Sequence, residues 1–411
     1  MFRPGPLNPF RHRDYALYWG ARFCAVLGTQ AQAVTLGWQV YEVARGTRSV
    51  PEAALLVGMI GLAQFVPLFL LTLPAGEVAD RRDRRWVMVM ALLAEGVCAA
   101  VLAVNALQAE PSLTAIFAAA ALFGAARAFI MPTSSALGPM LVPKAVLPRA
   151  IAYNSLAFTT GAIAGPALGG LLVAQSSALS YAVSGGLYAA AAAILPLIRT
   201  SARPERQPGS RLALIREGLS YVWRQKVVFG AVSLDLAAVL LGGATALLPV
   251  FARDVLHAGP DVFGMLRAAP AAGAAITAAI LARRPIQRFA GRWMFSGVAI
   301  FGVATIVFAL SREIWLSLLA LAVLGAADMV SVFIRQTLVQ LVTPDPMRGR
   351  VAAVSTLFIG ASNELGEFES GITARLMGPV GAALFGGCGA LVVTGLWAKL
   401  FPDLRKADRL E

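Results

Sequence analysis

Eleven ionisable side chains stand inside stretches otherwise built from apolar residues: Arg22, Glu95, Arg127, Asp235, Arg267, Asp328, Arg335, Glu364, Glu367, Glu369 and Arg375. A charge in hydrocarbon is costly and rarely faces lipid, so such groups pair with one another, carry protons or meet a cargo. The densest cluster is Asn363-Glu364-Leu365-Gly366-Glu367-Phe368-Glu369, followed by Gly371 and Arg375. At about 100° per residue in a helix, Glu364, Glu367, Gly371 and Arg375 share one face and Glu369 points nearly the other way. Two neighbouring carboxylates repel, and sharing a proton relieves that repulsion. The pair therefore suits coupling or substrate contact; the competing reading is a structural network with arginines of other spans. Asp328, Ser331 and Arg335 fall on one face by the same arithmetic. Arg22, with Thr29 on its face, and Asp235 stand at similar depths in two further spans. Gln32 and Gln39 share another face, and such groups either contact a hydroxylated or acidic substrate or stitch helices together. Glu95 reads as a structural partner.

These residue types exclude several chemistries. A phosphate-cradling loop needs Gly before Lys-Ser/Thr, and none of the four lysines (Lys144, Lys226, Lys399, Lys406) follows a glycine. The two histidines, His12 and His257, lie near the aqueous phase, and neither HExxH nor GxSxG occurs. No enzyme, no cofactor and no metal site is expected. Cys24, Cys98 and Cys388 fall singly in apolar runs and read as packing residues. Rings of like charge would suit a channel; mixed buried charges suit alternating access better.

The elements that must position these groups are membrane helices. The chain of 411 residues is 58% hydrophobic and 14% charged, against about 25% charged in soluble domains. A span needs about 20 apolar residues. Twelve stretches qualify: 15–43, 53–75, 86–107, 113–141, 149–174, 178–199, 226–252, 261–282, 293–311, 314–341, 350–376 and 380–400. Alternating segments of a β-barrel are not seen, so the expected fold is an all-α membrane protein. The net charge of +13 follows the positive-inside rule if both termini are cytoplasmic. On that placement 26 of the 35 Lys/Arg are cytoplasmic, and no nucleic acid is needed to explain the basicity. Arg3, Arg11 and Arg13 precede a first span too long for a signal peptide core, so it is expected to stay as a helix.

The sequence is written twice. At a spacing of 201, Gly124-Ala-Ala-Arg127 answers Gly325-Ala-Ala-Asp328, Pro143 answers Pro344, Arg149 answers Arg350 and Gly165 answers Gly366. At 207, Arg81, Arg85 and Trp86 answer Arg288, Arg292 and Trp293. Parallel six-helix repeats with a substrate site near the midplane are a transporter architecture. The expected organisation is a first bundle over 1–200, a linker with an amphipathic helix over 201–224, and a second bundle over 225–411. The repeat puts Arg127 and Asp328 at matching depths, with a switchable bridge between them as one reading and pairing within each half as the other.

Between the second and third runs lies Gly76-Glu-Val-Ala-Asp80-Arg81-Arg82-Asp83-Arg84-Arg85, seven charges in a ten-residue turn. Gly161-x-x-x-Gly165-Pro166-x-x-Gly169-Gly170 marks the fifth span. The first resembles the loop 2–3 motif of the major facilitator superfamily, with Asp83 where that family usually has Gly and Val78 where Leu is common. The second resembles the later half of the family's antiporter motif, with Ala152 in place of its upstream Gly. The resemblance covers essentially the whole chain. With Ala21-Arg22-Phe23 and Gln340-Leu-Val-Thr-Pro344 through Gly349-Arg350, it is similar to the bacterial enterobactin-exporter-like branch. It implies twelve helices in two pseudo-symmetric six-helix bundles in a bacterial cytoplasmic membrane, working as a monomer. It implies a gating role for Gly76, Asp80, Arg81, Arg84 and Arg85, and a sealing role for the glycines of the fifth span. It further implies proton-coupled export of a small drug- or siderophore-like molecule, with uptake of an organic anion as the alternative.

Overall fold

The computed structural model describes residues 8–202, 211–286 and 288–406, which are overwhelmingly helical and form no β-strand. The helices are α1 (Arg13–Arg45), α2 (Val50–Arg81), α3 (Arg84–Ala106), α4 (Leu113–Met140), α5 (Leu147–Gln175) and α6 (Ser177–Ile194). Then come α7 (Arg211–Arg224), α8 (Lys226–Leu241), α9 (Pro260–Arg283), α10 (Ala290–Leu310), α11 (Ile314–Val342) and α12 (Asp345–Leu400). Ten helices among the described residues are long and apolar enough to cross a membrane. Two features account for the difference from twelve. The run to Leu400 counts as one, although Gly378 (φ 76°, ψ 166°) breaks it before Pro379. α1 is diluted by Gln32, Thr35 and Gln39, which are buried inward rather than offered to lipid.

Two other expectations change. The seventh span is not one rod: α8 ends at Leu241 with Gly242 as its C-cap, and a 3₁₀ turn (Ala244–Leu247) and a π-turn (Phe251–Val255) follow. A side chain at Gly242 would strike Phe301 of α10, and one at Gly243 would strike Ser370 of α12, so this segment needs its glycines. The charged turn after the second span is also mostly helix. α2 continues to Arg81 and α3 starts at Arg84, leaving Arg82 and Asp83 between them. Glu77–Arg81 (2.6 Å) is spaced to support the last turn of α2, and Asp80–Arg84 (3.8 Å) joins α2 to α3 across the break. Asp83 is the N-cap of α3, accepting from the Arg85 amide at 3.0 Å, a contact worth about 1 kcal/mol. Of the linker, 203–210 lies outside the described residues. α7 is helical as expected and joins the second unit, where the Tyr221 hydroxyl donates to the Val342 carbonyl (3.1 Å) and Glu217 pairs with Arg350.

The chain divides into two compact units, Met1–Val43 with Ala63–Pro208, and Ala44–Leu62 with Gly209–Glu411. In the first, Tyr15, Tyr18, Met88, Leu92, Phe123, Leu137 and Tyr188 form the core between α1, α3, α4 and α6. Asp14 closes this bundle, accepting from the Thr200 amide and hydroxyl and the Arg199 amide. Burial raises its pKa, but those hydrogen bonds and Arg13 outweigh burial and hold it below the usual value. The clamp therefore persists above the carboxylate range and is lost only as pH falls through it. In the second unit, Leu234, Met294, Phe295, Ile334 and Leu338 form the core between α8, α10 and α11.

The repeat is visible in packing. A side chain at Gly124 of α4 would collide with the Gln64 backbone of α2, and one at Gly325 of α11 with the Pro270 backbone of α9. Gly165 of α5 lies against Gln30 of α1, and Gly366 of α12 against Val239 of α8.

Candidate functional site

The first unit carries an open cavity of about 360 Å³ lined by α1, α4 and α5. Three aromatic side chains on α1 fix its walls. The Tyr15 hydroxyl donates to the Ala150 carbonyl (2.7 Å), Tyr18 to the Ser134 carbonyl (2.6 Å) and the Trp19 indole to the Tyr153 carbonyl (2.9 Å). Arg22, one turn on from Tyr18, donates to the Ser134 hydroxyl. Its Nε is buried without a partner, and among the described residues no carboxylate pairs with it. The remaining lining is Ser135, Pro139, Ile151, Asn154, Ser155, Phe158 and Thr159. Of this lining, sequence reasoning singled out Arg22 alone. Ser134, Asn154 and Phe158 gave no signal, because single polar or aromatic residues in a helix carry no spacing pattern.

Deeper in the same unit, Arg127 of α4 donates to the Gln64 side-chain carbonyl of α2 at 3.2 Å and lies within Coulombic reach of Glu95 on α3. Glu95 is 1% exposed. These groups tie three helices together.

In the second unit, Arg335 of α11 pairs with Asp235 of α8 at 2.5 Å. Asp328 is within Coulombic reach of both, and Asp235, Asp328 and Ser331 line a small space of about 10 Å³. The face predicted for Asp328, Ser331 and Arg335 thus meets α8. Arg127 and Asp328 each interact within their own unit. On α12, Glu367 and the Glu364 carbonyl lie against Gly61 of α2, and Gly371 packs on Gly58. Arg375 is in Coulombic reach of Glu52, and Glu369 accepts from Thr373 at 2.6 Å. Arg267 is half-buried on α9. Among the described residues no cluster of His, Cys, Asp or Glu could hold a metal.

At the end of α2, Gly76 is buried. Arg84 reaches Met140 Sδ at 3.0 Å and Arg85 reaches the Ile198 carbonyl, so the basic residues pin α2 and α3 to the ends of α4 and α6. On α5, added side chains at Gly161, Gly165 and Gly169 would overlap Val26, Gln30 and Ala31 of α1, and Pro166 and Gly170 are buried.

Apolar helices in two repeated units, with charges buried among them, make this a multi-span membrane protein. Residues 4–411 match the family described as transmembrane secretion effector, and the chain belongs to that family of the major facilitator superfamily, which makes it a secondary transporter acting on a small molecule and not an enzyme. It is 28% identical over 400 residues to the enterobactin exporters EntS of Citrobacter koseri and Escherichia coli O81, covering 96% of this chain and 93% of theirs. It also resembles a solved POT family transporter in complex with 5-aminolevulinic acid, with TM-score 0.74, 11% identity and coverage of 95% and 96%. A bacterial homolog of the human lysosomal transporter Spinster gives 0.71 and 13%, with coverage of 98% and 97%. At these identities the solved structures speak to fold alone.

Proposed function

We propose that this protein is a proton-coupled exporter of a small amphipathic molecule, drug- or siderophore-like, working by alternating access as a monomer. Its place is a bacterial cytoplasmic membrane with both termini in the cytoplasm. The observation that carries this reading is the near full-length likeness to enterobactin exporters. The glycine seam of α5 supports it, since small residues let backbones approach closely in a membrane. Uptake of an organic anion is the second reading, favoured by Arg22, a cavity cation with no carboxylate partner among the described residues.

Everted vesicles carrying the protein, given an inward-acid proton gradient, should accumulate ethidium or enterobactin, and a protonophore should abolish this. Accumulation of an anion only in right-side-out vesicles would replace export with uptake.

Glu364 and Glu367 carry the coupling proton in this scheme. Glu367→Gln should therefore lose gradient-driven accumulation while keeping exchange of internal for external substrate, and Glu364→Gln should follow it. Unchanged accumulation in both variants would remove the pair from coupling. Asp80, Arg81, Arg84 and Arg85 hold the ends of α2 and α3 as the units rearrange.

A further inference from the structure

The internal repeat allows the two units to be compared position by position. Ser134 answers Arg335 at the spacing of 201. In the second unit the α11 position carries the cation and α8 supplies its carboxylate, Asp235, at 2.5 Å. In the first unit the cation is on α1 instead, and the α4 position offers only the Ser134 hydroxyl. The second unit gives its cation a carboxylate; the first leaves Arg22, at the wall of a 360 Å³ cavity, with none among the described residues, while Nε is buried without a hydrogen bond in both arginines. A guanidinium held in that setting favours a planar anion that its fork of donors can grip.

The rest of the wall defines what else the anion carries. On α5, Phe158 and Ile151 line it with apolar atoms, interleaved with the hydroxyls of Ser155 and Thr159, and Ser135 of α4 adds another hydroxyl. The Asn154 side-chain carbonyl already accepts from Tyr15 (3.3 Å), which leaves its NH₂ as a donor. The volume lies at the lower end of the roughly 300–1,000 Å³ of small-molecule pockets, which suits one substituted ring rather than an extended chain.

We infer that this cavity is a recognition subsite for an aromatic acid, a hydroxylated ring bearing a carboxylate, whose anionic group takes the place at Arg22 that Asp235 takes at Arg335. The ring lies against Phe158 and Ile151, and its hydroxyls meet Ser155, Thr159 and Asn154. The inference deepens the transporter reading by naming a substrate class, and it rests on that reading.

The test is equilibrium binding of 2-hydroxybenzoate to the purified full-length protein in phosphatidylcholine nanodiscs, with no gradient, beside the neutral 2-hydroxybenzamide. Arg22→Ala should weaken hydroxybenzoate about ten- to a hundredfold, the range of a charge-assisted hydrogen bond, and leave the amide unchanged. Arg22→Lys should fall between, keeping the charge without the fork. Ser134→Asp should weaken hydroxybenzoate as much as Arg22→Ala while raising the melting temperature, because the new carboxylate pairs with Arg22 inside the fold. That variant keeps the test decisive should Arg22→Ala fold poorly. Wild-type affinity in both Arg22→Ala and Ser134→Asp would overturn the proposal. So would loss of hydroxybenzoate binding on adding phosphatidylglycerol, which would assign Arg22 to a lipid headgroup. Hydroxybenzoate binding that depends on Arg22, in a protein whose vesicles export nothing, would sink the export reading and leave the subsite standing.

Discussion

Replacing Gly165 with leucine is expected to stop transport while the protein still reaches the membrane. A β-carbon at this position would stand 2.5 Å from the Gln30 β-carbon and 3.2 Å from the Leu27 carbonyl oxygen of α1. Neither neighbour can yield easily, since one atom is bonded directly to the α1 backbone and the other belongs to it. The seam continues through Gly161 against Val26 and Gly169 against Ala31, so a leucine in its middle must push the two helices apart along its length. Overpacking costs about 1–3 kcal/mol. Spent against one state of a two-state cycle, that shifts the balance about 5- to 150-fold. Gly186→Leu on α6 is the control, because a β-carbon there meets nothing within 4 Å. The measurement is initial rate in everted vesicles at matched expression. Wild-type rates in Gly165→Leu would show that α5 can stand off from α1 without consequence, and the sealing role would fall.

This seam was legible in the sequence because glycines four residues apart fall on one helix face whatever surrounds them. The repeat was legible for a related reason: Gly124 and Gly325 are fixed by backbone approach, and that constraint leaves a residue type behind. The end of α2 was harder. Seven charges read as a solvated turn, yet Glu77 pairs with Arg81 inside α2 and Asp80 reaches Arg84 across a break of only two residues. Asp83 looked like a departure from a family pattern, and it is the cap that starts α3. The break after Leu241 was missed because apolar composition hides helix irregularity; the Gly242–Gly243 pair was its only local sign. The cavity wall was the least legible of all. Ser134 and Asn154 matter through what Tyr15, Tyr18 and Arg22 place beside them, and those partners are more than 100 residues away along the chain.

Asp235→Ala should be the most damaging single change in the second unit. The Asp235 and Arg335 side chains are only 9% and 5% exposed, so removing the carboxylate leaves a guanidinium with little access to water. Breaking a buried pair from one side costs about 3–5 kcal/mol. Asp328 modulates the loss: it lies within Coulombic reach of Arg335 and takes over part of the neutralisation, so Asp235→Ala with Asp328→Asn should lose more than the two single changes together. Arg335→Leu alone exposes the opposite fault, two carboxylates facing each other without the cation between them. On an Asp328→Asn background, combining Asp235→Ala with Arg335→Leu removes every charge of the cluster, and an apolar replacement of a buried pair is often tolerated. On that background the double variant should therefore melt no lower than Asp235→Ala alone, a non-additivity that only groups in contact display. Losses that simply add would mean the two side chains contribute independently, and Asp235 would then have to be holding α8 through some contact other than Arg335.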